Sequence, residues 1–170
     1  NGTVNRTLGT AGGQMRWAGN GGFSAFGGAL TVDVNGDGAD NLTWGSTAGF
    51  VPNNSTLIFG STRADNAVTF VDNIALGDAN RTIAVADNAL SEFDKAVLSG
   101  QITGAGGLIK TGLGVLELDG DNTYSGDTLV SAGTLLVDGT TDNQRDYTIT
   151  AGATLGGEGA IGLAPEVGVD

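Results

Sequence analysis

Residues 106–135 read Gly106-Gly-Leu-Ile-Lys-Thr-Gly-Leu-Gly-Val-Leu-Glu-Leu-Asp-Gly-Asp-Asn-Thr-Tyr-Ser-Gly-Asp-Thr-Leu-Val-Ser-Ala-Gly-Thr-Leu135. Leu116 and Leu118 flank Glu117, an alternation of period two that marks a strand with one buried face. Gly, Asn and Asp break each apolar run after about four to six residues, and these are the residue types that tolerate left-handed turns. The end of the stretch then returns. Val130-Ser-Ala-Gly-Thr-Leu135 is echoed by Ile149-Thr-Ala-Gly-Ala-Thr-Leu155, and Val130 to Ile149 is 19 residues. Short strands punctuated this evenly suit a sandwich, a barrel or a solenoid. A repeat at fixed offset selects the solenoid, in which each turn is too small to bury its inward side chains and stacks on the next to do so.

The pattern extends upstream with longer spacing. Leu30, Val32 and Val34 alternate with Thr31 and Asp33, and Leu42 and Trp44 flank Thr43. Leu57-Ile-Phe59 returns as Ile83-Ala-Val85, and Val68-Thr-Phe70 returns at Val97-Leu98, offsets of 26 to 29. Nothing sustains a 3.6-residue period; residues 87–96 offer a helical turn or two at most. The reading is therefore an all-β chain, a parallel β-helix with Gly/Asn/Asp turns. Residues 1–28 form an N-terminal arm or cap, and residues 29–170 form the solenoid, with the clearest repeats at 106–162. Glycine pairs such as Gly106-Gly107 and Gly156-Gly157 are expected to turn the corners. Asn122, Thr123 and Tyr124 are expected to stack on neighbouring turns. Trp17, Phe23, Phe26 and Trp44 are read as cap or docking aromatics.

Composition agrees. Of 170 residues, 39% are hydrophobic and only 15% charged, with 31 Gly and two Pro. Glycine at this level without a triplet period excludes collagen and demands many turns. Seven basic residues against a net charge of −12 cannot build a phosphate-tracking stripe, so nucleic acid is excluded as a partner and an anionic membrane surface is disfavoured. There is no Cys and no His, which removes disulfides, thiol chemistry and the commonest general base. No apolar run reaches the roughly 20 residues of a membrane helix. The start at Asn1, without Met or a leader, reads as a processed or trimmed product.

Residues 106–135 closely resemble the passenger-associated transport repeat of bacterial autotransporters, whose pattern runs GGL-KTG-G-L-L-G-NTY-G-T-V-AGTL. Ala151-Gly-Ala-Thr-Leu-Gly-Gly-Glu-Gly-Ala-Ile-Gly162 resembles a following turn, and a looser similarity runs back to residue 20. The resemblance implies a right-handed β-helix in a passenger that is secreted or displayed on the cell surface of a bacterium, and members of the group serve adhesion, autoaggregation or scaffolding. No membrane barrel follows before Asp170, so direct membrane insertion is not expected and the anchor is expected elsewhere or absent.

Asp33-Val-Asn-Gly-Asp-Gly38 with Asp40 and Asn41 has the D-x-N-x-D-G spacing of a calcium loop, in which alternate oxygen ligands converge around a Gly turn. Asp33, Asn35, Asp37, Asp40 and Asn41 are the candidate calcium ligands. Trp44 occupies the position where such loops carry a bidentate Glu, and a polar hairpin turn is the alternative. The sequence requires no cofactor, and calcium is the one for which it offers a site. Asp119, Asp121 and Asp127 cluster as carboxylates do in polysaccharide-cleaving solenoids, but they occupy turn positions of the repeat and only Lys110 accompanies them as a base. Asn1, Asn5, Asn41, Asn53, Asn54 and Asn80 each open an N-x-S/T sequon and are candidate glycan sites.

These readings favour a non-catalytic structural protein that self-associates head to tail through open solenoid ends into a filament, sheath or layer. A fragment of an adhesin passenger, contacting surface glycans or other cells, is the alternative. A polysaccharide-active enzyme is the weakest reading.

Overall fold

The computed structural model describes residues 1–34, 36, 40–141 and 146–162. Among them there is no helix, and 19 short strands wind through successive turns. The first turn carries β1 (Gly2–Arg6) and β2 (Gly21–Phe23). The second carries β3 (Leu30–Val34), β4 (Asn41–Thr43) and β5 (Leu57–Phe59); the third carries β6 (Val68–Phe70), β7 (Asn73–Ala75) and β8 (Arg81–Val85). Next come β9 (Lys95–Leu98), β10 (Ile102–Thr103) and β11 (Leu108–Thr111), then β12 (Val115–Leu118), β13 (Asp121–Asn122) and β14 (Thr128–Val130). The sixth has β15 (Thr134–Val137), β16 (Thr140–Thr141) and β17 (Tyr147–Ile149), and β18 (Thr154–Gly156) and β19 (Ala160–Ile161) begin a seventh.

From the second turn on, each complete turn gives one strand to each of three faces. The first face is a seven-stranded sheet, β1-β3-β6-β9-β12-β15-β18, and another is six-stranded, β2-β5-β8-β11-β14-β17. The face between them is divided into β4-β7-β10 and β13-β16-β19. All pairs of named strands are parallel. Seven strands at the ~4.8 Å spacing of paired strands make a stack about 30 Å long. This is a parallel β-solenoid.

Register gives the turn lengths. On the seven-stranded face Gly2 pairs with Leu30, Leu30 with Val68, Val68 with Ala96, Lys95 with Val115, Val115 with Thr134 and Thr134 with Thr154. Successive turns therefore take 28, 38, 28, 20, 19 and 20 residues. Three sequence echoes are true registers: Val130 faces Ile149, Leu135 faces Leu155 and Leu57 faces Ile83. The fourth is off by one, since Val68 faces Ala96 and not Val97. The 38-residue second turn has no echo in the sequence, because its extra residues form a lobe instead of a strand.

Inward side chains stack into columns. Val32, Phe70, Leu98, Leu118 and Val137 form one, and Val68, Ala96, Leu116 and Leu135 another, all at most 2% exposed. In the wider early turns an aromatic wedge fills the interior. Phe50 makes edge contacts with Trp17 and Trp44, at 5.5 and 5.9 Å, and packs against Phe70, which meets Phe59. Trp17, Phe23 and Trp44 thus belong to the packing, whereas Phe26 is 79% exposed.

Residues 1–28, read from sequence as an arm or cap, supply the terminal strand of both large sheets. The whole of Gly2–Arg6 pairs with Leu30–Val34 of its own chain. Residues 87–94 form a loop tied by Asn88, whose amide hydrogen goes to Asp94 and whose Nδ2 donates to the Ala64 carbonyl.

Some corner glycines turn the chain as the sequence implies, Gly157 with a φ of 124° among them, whereas others are required by the close approach of the next turn. A Cβ on Gly120 would lie 2.4 Å from the Gly100 carbonyl oxygen, and one on Gly139 2.3 Å from that of Gly120. Gly100 likewise meets Asp72, and Gly159 meets Gly139. One corner of the solenoid is thus a ladder of glycines whose backbones touch. Gly106 and Gly107 also owe their identity to close approach, to Ala79 and Asp127, and not to a left-handed backbone.

Candidate functional site

The corner where the chain passes from β3 to β4 holds the sequence-predicted calcium loop. Asp33 lies half-buried in β3, in register with Asn5, and Asp40 is half-buried just before β4. Asn41 is exposed, and its Oδ1 accepts from Asn73 Nδ2 at 3.3 Å. Asn35 and Asp37 lie outside the described residues.

The structure brings to this corner a residue that the motif does not contain. Asp72 leads from β6 to β7 one turn later and is only 2% exposed. Its Oδ2 accepts the Val34 amide hydrogen at 3.0 Å, and the next amide, of Asn73, donates to the Asp40 carbonyl at 2.9 Å. Its Oδ1 is buried with no hydrogen-bond partner. Burial pushes the Asp72 carboxyl up to about 6; Asp33 and Asp40 add to the shift, and the Val34 amide opposes it.

Asp119, Asp121 and Asp127 are not brought together. Asp119 joins Glu117 and Asp138, with carboxylate oxygens within 4.8 Å of one another. Burial raises the Asp119 carboxyl, and the charges of Glu117 and Asp138 raise it further. Glu117, on the outward face of β12 yet 8% exposed, pairs with Lys95. Asp121 accepts from the Thr140 hydroxyl at 2.9 Å, and Asp127 from the Asp146 amide at 3.3 Å. Both are bonds to the next turn, as expected of turn residues.

Lys110 is no surface base. It occupies an inward column between Ile83 and Val130 and is 0% exposed. Its Nζ donates to the carbonyls of Thr111, Gly112 and Ala132 at 3.1, 2.7 and 3.0 Å, so every ammonium hydrogen has an acceptor. Burial pushes its pKa down to about 8. Asn122 is also internal: its Oδ1 accepts from the Ile102 amide and its Nδ2 donates to the Gly120 carbonyl. The middle face changes sheet at this point. Tyr124, buried, shares a hydroxyl hydrogen bond with Thr128.

The sequon asparagines Asn1, Asn5, Asn41, Asn53, Asn54 and Asn80 are all exposed. Asn53 and Asn80 use their side-chain oxygens to accept from Arg81 and from the Gly107 amide. Four large apolar side chains, Phe26, Leu90, Phe93 and Leu113, are 73–96% exposed. All four lie in segments joining the six-stranded face to the seven-stranded one, hence along one edge of the solenoid.

Residues 108–137 match the family model of the passenger-associated-transport-repeat. An extracellular serine protease of Serratia marcescens is 48% identical over 64 residues, which cover 38% of this chain and 6% of the protease. The adhesin BmaC autotransporter of Brucella suis biovar 1 (strain 1330) is 40% identical over 85 residues, 48% of this chain and 2% of the adhesin. A further extracellular serine protease of Serratia marcescens is 42% identical over 71 residues, 42% of this chain and 7% of that protein. The chain thus matches less than a tenth of the length of these relatives. No solved structure matches it.

Proposed function

We propose, for a chain that carries a passenger-associated transport repeat within a parallel β-solenoid, a non-catalytic structural role as a rod segment of a bacterial surface or secreted passenger. The observation that carries this reading is the uninterrupted stacking of seven strands on one face, with the family repeat set in register among the other turns. The printed names of the relatives, an autotransporter adhesin and extracellular proteases, place the reading outside the cell. They also favour a passenger segment over a free-standing filament protein.

Protease chemistry does not follow from the protease relatives. A Ser–His–Asp triad needs a histidine to take the serine proton, and these 170 residues contain none. The buried Lys110 is committed to three carbonyls, so it is unsuited to act as a base.

Removing one whole turn, residues 108–127, from the intact surface protein tests the role. A rod segment tolerates the loss, with surface display and cell adhesion both retained. Full display with loss of adhesion would make this segment the binding surface and overturn the reading. Turnover of a protein or polysaccharide substrate by the purified chain would overturn the non-catalytic part.

Self-association is a second reading, favoured by the apolar edge of Phe26, Leu90, Phe93 and Leu113 and by the strand edges of β1 and β18. Sedimentation at micromolar concentration distinguishes the cases. A concentration-dependent polymer that Leu90→Ser with Phe93→Ser disperses supports lateral contact between copies. A monomer at all concentrations removes this reading and leaves the rod segment.

A further inference from the structure

A buried cation normally has a carboxylate partner or an acceptor for each of its hydrogens. Lys110 meets this condition, with three carbonyls for its ammonium. Arg81, the other buried base among the described residues, does not. It opens β8 and is 8% exposed, in register with the wholly buried Leu108. Its Nε donates to the Leu76 carbonyl at 2.7 Å and its Nη1 to Asn53 Oδ1 at 2.9 Å. A guanidinium has five N–H groups, and two of them are used here. The three left open are both of those on Nη2 and one on Nη1. The one ion pair among the described residues joins Lys95 to Glu117, so Arg81 has no counter-charge either. Burial lowers its pKa, and no carboxylate opposes that shift.

The guanidinium is held still and left accessible. Behind it lies the buried Trp44, with 5.9 Å between the guanidinium carbon and the ring centroid. Asp72 Oδ1 is the sole side-chain polar atom among the described residues that is sealed off without a partner, so Nη2 reaches solvent. Beside Nη2 stands Gly77, where a Cβ would have Nη2 at 3.5 Å and nothing else within 4 Å. Its φ of 72° reserves the position for glycine and keeps the approach to Nη2 clear. Asn53, exposed in the lobe of the second turn, spends its Oδ1 on Arg81. Its Nδ2 hydrogens have no acceptor among the described residues. Two successive turns thus bring unspent donors to one place.

We propose that Arg81 and Asn53 form a binding site for an acidic sugar, with the guanidinium taking its carboxylate. Open hydrogens on the adjacent nitrogens Nη1 and Nη2 suit the two oxygens of a carboxylate. Charge selects among the oxyanions. The chain carries −12, and Asp78 is exposed on the same connection, so a doubly charged sulfate or phosphate is repelled about twice as strongly as a carboxylate. The Asn53 amide supplies neutral donors for the hydroxyls beside that carboxylate. Trp44, Asn53 and the Leu76 carbonyl fix the guanidinium before a ligand arrives, so little side-chain freedom is lost on binding. No sequence motif contains the pair, which is 28 residues apart and meets only through the stacking of turns.

Titration of the isotope-labelled full chain with sodium glucuronate, at ionic strength matched with sodium chloride, tests the site by nuclear magnetic resonance. The Arg81 Nε–H and Trp44 indole N–H signals are expected to shift together and saturate, with a dissociation constant of about 1–20 mM. Sodium acetate is expected to bind about threefold more weakly, lacking hydroxyls for Asn53, with sodium sulfate weaker still and glucose without effect. Arg81→Lys weakens glucuronate binding by about tenfold or more, because an ammonium lacks the planar fork. Asn53→Ala weakens it by about 3–10-fold. Shifts that stay linear in glucuronate up to about 100 mM overturn the site. Sulfate binding as tightly as glucuronate overturns the carboxylate preference, and acetate binding as tightly overturns the sugar. Should Arg81→Lys not fold, Asn53→Ala decides, since it alters an exposed side chain: an unchanged affinity for glucuronate overturns the site.

Discussion

Lys110 shows how one residue can carry a family motif for a reason that its chemistry does not advertise. Its ammonium ties together Thr111 and Gly112 of its own turn and Ala132 of the next. Replacing it with Met keeps the length and removes three hydrogen bonds to carbonyls, so Lys110→Met is expected to destabilise the fold by about 2–4 kcal/mol in urea titration. The pH dependence has the sign of a depressed base. Between the folded value of about 8 and the ordinary value of 10.5, the unfolded chain binds more protons than the folded one. Stability due to Lys110 therefore rises with pH across that window. Wild type should gain up to about 3 kcal/mol on Lys110→Met between pH 8 and 10.5. Parallel curves would show that the ammonium is not desolvated in the folded state.

At the scale of the elements, the turns are joined by contact of backbone on backbone as much as by side chains. Gly100, Gly120, Gly139 and Gly159 rise through one corner with room for hydrogen only. A methyl at Gly120 would press on the Gly100 carbonyl, which belongs to a packed corner and cannot rotate away. Gly120→Ala is thus expected to cost about 2–3 kcal/mol, measured by chemical denaturation. Gly152 is a contrast, since nothing lies within 4 Å of a Cβ there. Its left-handed φ of 86° leaves conformational strain as the sole penalty, about 1 kcal/mol for Gly152→Ala. Within the columns, Leu135→Ala removes a fully buried side chain between Leu116 and Leu155 and should cost about 2–5 kcal/mol.

For the whole molecule, stacking makes stability nearly a sum over turns and their interfaces. A deletion in phase with the turn is then tolerated where one out of phase is not. Removing residues 108–127 brings Thr128 to the place of Leu108, its register partner, so the strand alternation continues on every face. Circular dichroism should show a cooperative transition lowered by a few degrees. Removing only residues 108–117 takes out half a turn and brings the Asp119–Gly120 corner to the place of β11, so the strands no longer stack and the cooperative transition should be lost. The turns also differ in kind. The three C-terminal ones take 19 or 20 residues and are held by aliphatic columns, whereas the early ones take 28 or 38 and enclose the aromatic wedge.

Much of this was legible in the chain itself. Alternation of period two and the 19-residue echo follow from local rules, since a strand with one buried face must alternate and identical turns must repeat. They were sufficient for the parallel solenoid and for the register of Val130 with Ile149 and Leu57 with Ile83. The spacing of Asp33 and Asp40 was legible for the same reason, because residues of one loop are neighbours in sequence. Only the tertiary structure could supply Asp72, Lys110 and the glycine ladder. Each depends on what lies one turn above or below, and the number of residues in a turn varies from 19 to 38, so no fixed spacing connects them. The burial of Asp72 and Lys110, which sets their charge states, is a property of the stack and of no single segment within it.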